Sequence, residues 1–376
     1  MDRRSFIKVS AAGVLLPAVE RFTPAEGMNR RKDAYNVVIL GDTHYDSTDP
    51  ELYHAGYTDP DPNREALHRS EFVRNGKMWA DRCPRLVKRA SCLVDENTKF
   101  IYQAGDLIQG DTADAETHKR FLEDTMDLLK KSMETDLPLV TVAGNHDLRG
   151  NDDAVATQAY RDCMIGRMSR ELGKEITDTN FSFRVGDDAY VALNYASKDV
   201  PTIERMLKEA KGARHVFVLV HTPVFPFDGK YWYWFLAGNK KDSRSEERRY
   251  IRSLLARNNA IVLCGHTHYT ELTDWKGDEG RITQMTFSSV WTNEKQASFK
   301  DLASGVKDYG ELIQKEKPEL KGGVATRLFD EYRPCIERYS TANSVGSYKM
   351  TVDGGSVWVD FYGGDSTRLT KRFNLR

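Results

Sequence analysis

Residues 35–46 read YNVVILGDTHYD, an apolar run that ends abruptly in a glycine followed by an aspartate and a histidine. Residues 36–40 are rich in β-branched side chains and have the length of a single buried strand. Four similar runs follow along the chain, at residues 99–104, 138–143, 215–220 and 260–264. The sequence therefore predicts five buried strands, each followed directly by polar residues.

Between several of these predicted strands lie segments whose apolar residues recur at helical spacing beside a charged face. These segments are residues 72–93, 115–131, 200–211 and 245–258. Alternation of strands with helices is typical of an α/β fold. The turn residues Gly186-Asp187-Asp188 and Asp353-Gly354-Gly355 predict two hairpins, at residues 181–185 with 189–193 and at residues 348–352 with 357–362.

Composition and charge exclude several classes of protein. The chain has 376 residues, with 55 basic and 56 acidic side chains and a formal net charge of -1. This balance gives no overall field that would concentrate polyanions, so we do not expect nucleic acid as a partner, and no protein partner is evident. No apolar segment after the N-terminus approaches the length of a membrane span, so we expect none in the mature chain. The five cysteines form neither a C-x-x-C pair nor a dense framework of disulfides. The sequence leaves open whether one disulfide forms after export.

The N-terminus is typical of an export signal rather than of a folded element. Arg3 and Arg4 precede Ser5-Phe6-Ile7-Lys8, and a mildly apolar stretch rich in small residues follows at residues 9–19. This pattern resembles a twin-arginine signal, which we assign to residues 1–27. We therefore expect a periplasmic or otherwise exported protein, with an ordinary amphipathic first helix as the alternative.

Two segments, residues 45–70 and residues 293–343, interrupt the alternating pattern. Residues 45–70 contain Asp and Pro and show little periodicity, which predicts a long loop with a functional or mobile role. His54 and His68, in this loop, are predicted to lie on the surface, with contact to the substrate as the alternative. Residues 293–343 are polar and are predicted to form a mainly helical insertion. The aromatic run YWYWF at residues 231–235 is expected either to line a substrate entrance or to cover core.

Each predicted strand ends in a polar cluster, and five of the nine histidines fall in these clusters. The clusters are Gly41-Asp42-Thr43-His44, Gly105-Asp106, Gly144-Asn145-His146-Asp147, His221-Thr222-Pro223 and Gly265-His266-Thr267-His268. Sites in α/β sheets assemble at the carboxyl ends of strands, and the flanking glycines are expected to allow a sharp turn away from each strand. Residues two apart on an extended segment project to one side. Asp42 and His44 can therefore converge on one point, and so can His266 and His268. Imidazole and carboxylate ligands without thiolate suit zinc, iron or manganese.

The ordered series D-x-H, GD, GNHD, H-x-P and GHTH resembles the calcineurin-like metallophosphoesterase superfamily, and the match covers about residues 35–291. The resemblance implies a four-layer αββα sandwich, in which two mixed β-sheets are flanked by helices. It also implies a catalytic domain at residues 33–292, with residues 293–343 as an insertion or subdomain. Residues 344–376 would then form a C-terminal β-hairpin that completes the catalytic domain.

The same resemblance implies a pair of divalent or trivalent metal ions, which would be manganese, iron or zinc. One ion would be bound by Asp42, His44, Asp106 and His268, and the other by Asp106, Asn145, His221 and His266. The shared Asp106 would hold the ions at the ~3.5 to 4 Å typical of two-metal hydrolases and bring a bridging water toward hydroxide. This hydroxide would attack the phosphorus of a small-molecule phosphate mono- or diester.

His146 matches a histidine that lies beside the substrate in this family, where it protonates the leaving oxygen or holds a phosphate oxygen. Asp147 is the nearest candidate for holding the proton of His146. Gln109 stands where protein phosphatases have an aspartate and Gly110 where they have an arginine, so a phosphate-binding guanidinium is missing there. The predicted substrate contacts are Asn145, His146 and Arg149. For Arg149 a solvated surface charge is the alternative.

The sequence leaves two other functions open. A protein on the same fold could bind phosphate compounds with little turnover, because Gln109 weakens the expected support for His146. The same metal pair could also hydrolyse a bond other than a phosphate ester. Because the arginine of protein phosphatases is missing, we favour a scavenger of small organic phosphates, nucleotides or phosphodiesters.

Overall fold

The computed structural model describes residues 33–197, 199–226, 245–290, 301–311, 324–366 and 368–376. The described residues belong to one unit, Asp33–Arg376. The predicted export signal at residues 1–27 and the aromatic run at residues 231–235 lie outside the described residues.

Strands and helices alternate through most of the described chain. In chain order they are β1 (Tyr35–Leu40), α1 (Glu51–His54), α2 (Pro62–Asp81), α3 (Cys83–Ser91), β2 (Thr98–Gln103), α4 (Ala115–Met133), β3 (Leu139–Thr141), α5 (Asp153–Leu172), β4 (Phe181–Val185), β5 (Asp188–Leu193), α6 (Val200–Glu209), β6 (Val216–Val220), α7 (Ser245–Arg257), β7 (Ile261–Cys264), β8 (Thr270–Gly277), β9 (Gly280–Thr286), β10 (Asp301–Ser304), α8 (Val324–Tyr332), β11 (Ile336–Ala342), β12 (Gly346–Asp353), β13 (Ser356–Gly363) and β14 (Lys371–Asn374). The five predicted buried strands are confirmed as β1, β2, β3, β6 and β7. The two predicted hairpins are confirmed as β4 with β5 and β12 with β13.

The strands form two mixed sheets. The first has the order β14-β13-β12-β1-β2-β3, with β1, β2 and β3 parallel and β12 antiparallel to β1. The second has the order β10-β11-β8-β9-β7-β6-β5-β4, with β5, β6, β7 and β9 parallel to one another. The carboxyl ends of the parallel strands in each sheet therefore lie along one edge, where a site can assemble.

Alternation of side chains along the strands produces the layers. Tyr190 of β5 belongs to the apolar core between the sheets, where its ring lies 5.1 Å from that of Phe100 in β2. The next residue, Val191, faces the other way and packs in a second apolar cluster with side chains of α6 and α7. Helices α3 and α5 lie against the first sheet, and α6 and α7 against the second. The chain thus has the expected four-layer αββα architecture, two mixed sheets flanked by helices.

The prediction of a long loop at residues 45–70 is wrong. It contains α1 and the beginning of α2, whose first turn is capped by the Asp61 carboxylate through the Asn63 N–H. His54 and His68 are buried rather than on the surface. The His54 ring stacks on Phe72 at 3.6 Å between centroids. A sequence pattern based on apolar periodicity misses this segment, because much of what it buries is polar.

The prediction of a mainly helical insertion at residues 293–343 is also wrong for part of its described residues. Helix α8 and a short 3-10 turn at Val306–Asp308 are helical, but β10 and β11 extend the second sheet. Strand β11 pairs antiparallel with β8, and the register shifts between Ile336 and Arg338. This irregularity disturbs the alternation of apolar and polar residues by which a strand is predicted. Among the helices that the structure describes, none is both long and apolar enough to span a bilayer.

Candidate metal centre

The five polar clusters come together at the edge where the parallel strands end, and their glycines let the loops pack closely. A Cβ added at Gly144 would lie 2.0 Å from the backbone nitrogen of Asp106, and one at Gly265 would lie 2.2 Å from Asp42 Oδ1. At Gly41 it would lie 1.8 Å from the carbonyl oxygen of Ser288. Among the four flanking glycines, left-handed backbone geometry is found at Gly105, with φ +86°. The glycines therefore serve mainly close approach of the site loops, rather than the sharp turns expected from sequence.

Four of the predicted ligand residues have positive φ angles although they are not glycines. The values are 40° at His44, 49° at Asp106, 71° at His266 and 57° at His268. Side chains with a Cβ rarely adopt this region, and each instance costs roughly 1–3 kcal/mol. Such strain concentrated in one place is typical of a functional site, because the surrounding structure has to impose it.

Asp42, His44 and His268 form the first group. The Nε2 atoms of His44 and His268 are 3.1 Å apart, and Asp42 Oδ2 lies 3.1 Å from His268 Nε2 and 3.9 Å from His44 Nε2. The carboxylate of Asp42 is fixed from behind by the backbone N–H of His266, which donates to both of its oxygens at 3.0 and 2.9 Å. Two imidazole nitrogens and a carboxylate oxygen thus converge on one point.

Asp106, His221, His266 and Asn145 form the second group. His221 Nε2 lies 3.2 Å from Asp106 Oδ2, 3.1 Å from His266 Nδ1 and 3.3 Å from Asn145 Oδ1. Asp106 Oδ2 also lies 3.4 Å from His44 Nε2 in the first group. The seven residues predicted as ligands are therefore brought together, with the Asp106 carboxylate between the two groups.

The chemistry of this donor set fits bound metal ions. Within each of two three-residue groups, Asp42-His44-His268 and Asp106-His221-His266, the ligand atoms lie within 4.8 Å of one another. His221 Nδ1 donates to the carbonyl oxygen of Ala104 at 2.8 Å, so its Nε2 can present a lone pair to the centre. Imidazole nitrogens, carboxylate oxygens and one amide oxygen, without a thiolate, suit zinc, iron or manganese.

Burial and mutual charge shift the protonation of these side chains. Burial alone would lower the pKa of His221, but the carboxylates of Asp106 and Asp42 outweigh it and raise that pKa to about 9. Burial would raise the pKa of Asp106, but His221 and His146 beside it hold it well below its usual range. Burial, together with neighbouring imidazoles, keeps the pKa values of His44 and His266 well below the ordinary histidine value. The centre is thus a buried set of groups whose charges depend on one another.

His146 lies beside the ligand groups and is oriented through its backbone and its ring. Its N–H donates to Asp106 Oδ1 at 2.8 Å, and its Nδ1 donates to the carbonyl oxygen of Gln109 at 2.8 Å. Burial, followed by the nearby Arg149 guanidinium, lowers the pKa of His146 to about 3. A ligand atom of His146 also lies within 4.8 Å of those of His44 and Asp106, so the imidazole is close enough to contact a metal ion.

Asp147 does not hold the proton of His146, which corrects the expectation from sequence. Its two carboxylate oxygens accept from the backbone N–H groups of Ile108 and Gly144, at 3.1 and 2.9 Å. Neighbouring residues in the 3-10 turn His146–Leu148 point apart, and the Gln109 carbonyl takes the expected place of a carboxylate. The Gln109 side chain turns away and accepts from Asn75 Nδ2 at 2.6 Å.

Arg149, one of the predicted substrate contacts, is half-buried and paired with Asp111, which argues against a solvated surface charge. Two other residues near the centre, Asp111 and Tyr195, were not predicted from sequence. Asp111 itself was missed, although it lies five residues after Asp106 in the cluster that follows β2. Tyr195 was missed because β5 was not considered a site strand, and its ring centroid lies 6.2 Å from that of His221.

Several solved structures resemble the chain. Among solved structures, PhoD is similar with a TM-score of 0.50 and 10% identity, over 93% of this chain and 70% of that chain. A purple acid phosphatase, PPD1 from yellow lupin, gives a TM-score of 0.48 and 12% identity, over 92% and 54%. GAP50, the anchor in the inner membrane complex of Plasmodium, gives 0.45 and 12%, over 92% and 89%. At these identities the likeness to PhoD bears on the fold alone.

No curated protein sequence matches the chain. The sequence profile of the calcineurin-like phosphoesterases matches residues 35–270, which include all five polar clusters and more than half of the chain. The chain therefore belongs to the calcineurin-like phosphoesterase family.

Proposed function

We propose that this chain is a metal-dependent phosphoesterase with two metal sites, which hydrolyses phosphate mono- or diesters of small molecules. The observation that carries the proposal is the position of the Asp106 carboxylate, 3.4 Å from His44 Nε2 and 3.2 Å from His221 Nε2. An oxygen so placed can serve two cations at once. Family membership supports phosphate ester hydrolysis as the reaction class.

The assignment of ligands follows the two groups. Asp42, His44 and His268 would hold one ion, Asn145, His221 and His266 the other, and Asp106 both. Bound metal ions would screen the negative charge of the phosphoryl oxygens and activate water as the nucleophile. Asn145 contributes a neutral amide oxygen, which leaves more positive charge at the centre than a carboxylate would. We propose manganese, iron or zinc, because the donor set favours them.

His146 and Arg149 would bind the substrate. The Nδ1–H of His146 is held by the Gln109 carbonyl, so its Nε2 is free to face a phosphate oxygen or the leaving oxygen. The low pKa of His146 keeps its imidazole neutral. The ring would take up a proton for the leaving oxygen only when the negative charge of the substrate lies beside it. The guanidinium of Arg149 supplies a positive charge that matches the geometry of phosphate.

Turnover of two synthetic esters tests this proposal. We expect the protein, loaded with manganese or zinc, to hydrolyse p-nitrophenyl phosphate, bis-p-nitrophenyl phosphate or both. The ratio of the two rates would assign a monoesterase or a diesterase. Metal-loaded protein that turns over neither ester would contradict the proposal and favour a phosphate-binding protein on the same fold.

We also propose that the protein is exported through a twin-arginine signal at residues 1–27. The support is the sequence pattern, in which Arg3 and Arg4 precede a short apolar stretch of small residues. In a bacterial host, the wild type should accumulate in the periplasm, and a variant with both arginines replaced by lysine should stay in the cytoplasm. Equal distribution of the two proteins would contradict the proposal.

A further inference from the structure

Asp111 places a buried carboxylate close to the metal centre without belonging to either ligand group. The residue is fully buried, and its Oδ2 accepts from Arg149 Nη2. The side chain of Arg149 is 24% exposed, so only part of it reaches solvent. A charge-assisted hydrogen bond to a buried acceptor is stronger than a surface ion pair. The guanidinium is therefore restricted in orientation.

A single backbone carbonyl links this pair to His146. The carbonyl oxygen of Gln109 accepts from His146 Nδ1 at 2.8 Å and lies 3.5 Å from Arg149 Nη2, its second donor. The guanidinium and the imidazole are thus placed side by side. Because His146 lies beside His44 and Asp106, this carbonyl places the guanidinium next to the metal centre.

The backbone explains how two separate loops reach this arrangement. The Asp111 N–H donates to the carbonyl oxygen of Arg149 at 2.8 Å, and the Asn151 N–H donates to that of Thr112 at 2.9 Å. Between them Gly110 has a φ of +77°, and a Cβ there would lie 2.2 Å from the carbonyl oxygen of His146. The two loops therefore pack backbone to backbone, and a larger residue at position 110 would separate them.

Two histidines of the segment at residues 45–70, His54 and His68, also lie against Asp111. His54 Nδ1 donates to the backbone carbonyl oxygen of Asp111 at 3.0 Å. His68 Nδ1 lies 3.5 Å from Asp111 Oδ1 and 2.7 Å from the Tyr57 hydroxyl. Asp111 thus connects the α1–α2 segment with the arginine beside the metal centre.

We infer that Asp111 is a positioning residue, whose carboxylate orients the Arg149 guanidinium to bind the phosphate group of the substrate. The inference rests on the proposed function for the identity of the ligand. Gly110 stands where protein phosphatases have a phosphate-binding arginine. In this chain Arg149, held by Asp111, would supply the guanidinium instead. The inference also gives the segment at residues 45–70 an indirect role in phosphate binding.

Binding of inorganic phosphate to the metal-loaded protein tests this inference without requiring turnover. Asp111→Asn and Asp111→Gly both suit the left-handed backbone at this position, where φ is 57°. Each variant is expected to weaken phosphate binding about tenfold, because an oriented charge-assisted contact is lost. For any ester that the wild type hydrolyses, KM should rise by a similar factor and kcat should change less. Asp114→Asn, which retains the cap of α4, is the matched control and should leave both quantities unchanged.

A double-mutant cycle separates positioning from a general structural effect. Asp111→Asn combined with Arg149→Ala should bind phosphate no more weakly than Arg149→Ala alone, because the carboxylate acts through the guanidinium. Independent, multiplying losses would overturn the inference, as would metal loss in both Asp111 variants or absence of phosphate binding by the wild type. If the wild type hydrolyses no ester while the cycle behaves as expected, the proposed function fails and the positioning role stands.

Discussion

Gly265 provides a direct test of how closely the site loops have to pack. Replacing it with alanine places a Cβ 2.2 Å from Asp42 Oδ1 and 3.0 Å from the carbonyl oxygen of Ala104. The carboxylate of Asp42 would have to retreat by roughly 1 Å to restore an ordinary van der Waals distance. Metal–carboxylate bonds are about 2.0–2.2 Å long, so this displacement removes Asp42 as a ligand. We expect one metal ion per chain to be lost and turnover to fall by about 10²-fold or more.

The assay for Gly265→Ala combines metal content with kinetics. Metal per chain is measured by mass spectrometry after dialysis, and kcat is measured with a nitrophenyl ester. Gly355→Ala is the matched control, because a Cβ at Gly355 would meet no atom within 4 Å. The control should retain wild-type metal content and kcat.

One result would refute the reasoning. If Gly265→Ala kept both metal ions and wild-type kcat, Asp42 would either tolerate the displacement or have no role as a ligand. A stable protein with normal metal content but reduced kcat would place the effect in the turnover step rather than in metal binding.

Four further outcomes are expected. Asp106→Asn should lose both metal ions or nearly all activity, because the carboxylate lies between the two groups; metal analysis and kinetics would contradict this if both stayed normal. His146→Ala should keep the metal ions and lose mainly turnover, and metal loss equal to that of Asp106→Asn would be the contrary result. In the metal-free protein, the pKa of His221 is raised to about 9 from an ordinary 6.5, so charged His221 stabilises the fold below pH 6.5 and this contribution is lost as the pH rises through 9. Urea unfolding across that range should show a falling free energy of unfolding, and a flat profile would contradict the assignment. His54→Ala removes a stacked ring with a hydrogen bond at each nitrogen and should cost about 2–4 kcal/mol of unfolding free energy, measured in urea, whereas a loss below about 0.5 kcal/mol would contradict a structural role.

The strands and the ligand clusters were predictable because their signal is local. Residues 37–40 are apolar on both faces, as a strand buried on both faces requires, and the polar residues after them have to leave the sheet. Asp42 and Asp106 meet because the parallel strands β1 and β2 end at one edge of the first sheet, and His268 joins them from beyond the end of β7 in the second sheet. A single sequence contains each of these features in fewer than ten residues.

Other parts of the structure depend on contacts that no local pattern contains. His54 is buried because Asp46 Oδ1 and the backbone carbonyl oxygen of Asp111 meet its two ring nitrogens, and the second partner lies 57 residues away. The partner of His146 is a backbone carbonyl, which no side-chain motif can reveal. Strand β11 was missed because an irregular register hides its alternation. Buried polar side chains with distant partners, and backbone carbonyls that accept from side chains, are therefore the features that the sequence did not predict.

The pairing of β1 with β12 has a consequence for biosynthesis. Tyr35 is aligned with Val352, so β1, the strand that leads into Asp42, obtains one of its two neighbours only after more than three hundred further residues have left the ribosome. Contacts so distant along the chain slow folding and leave an apolar strand edge open to aggregation in the meantime. A nascent chain stalled before residue 346 would thus present β1 with one edge unpaired, which is the kind of edge that pairs with other chains.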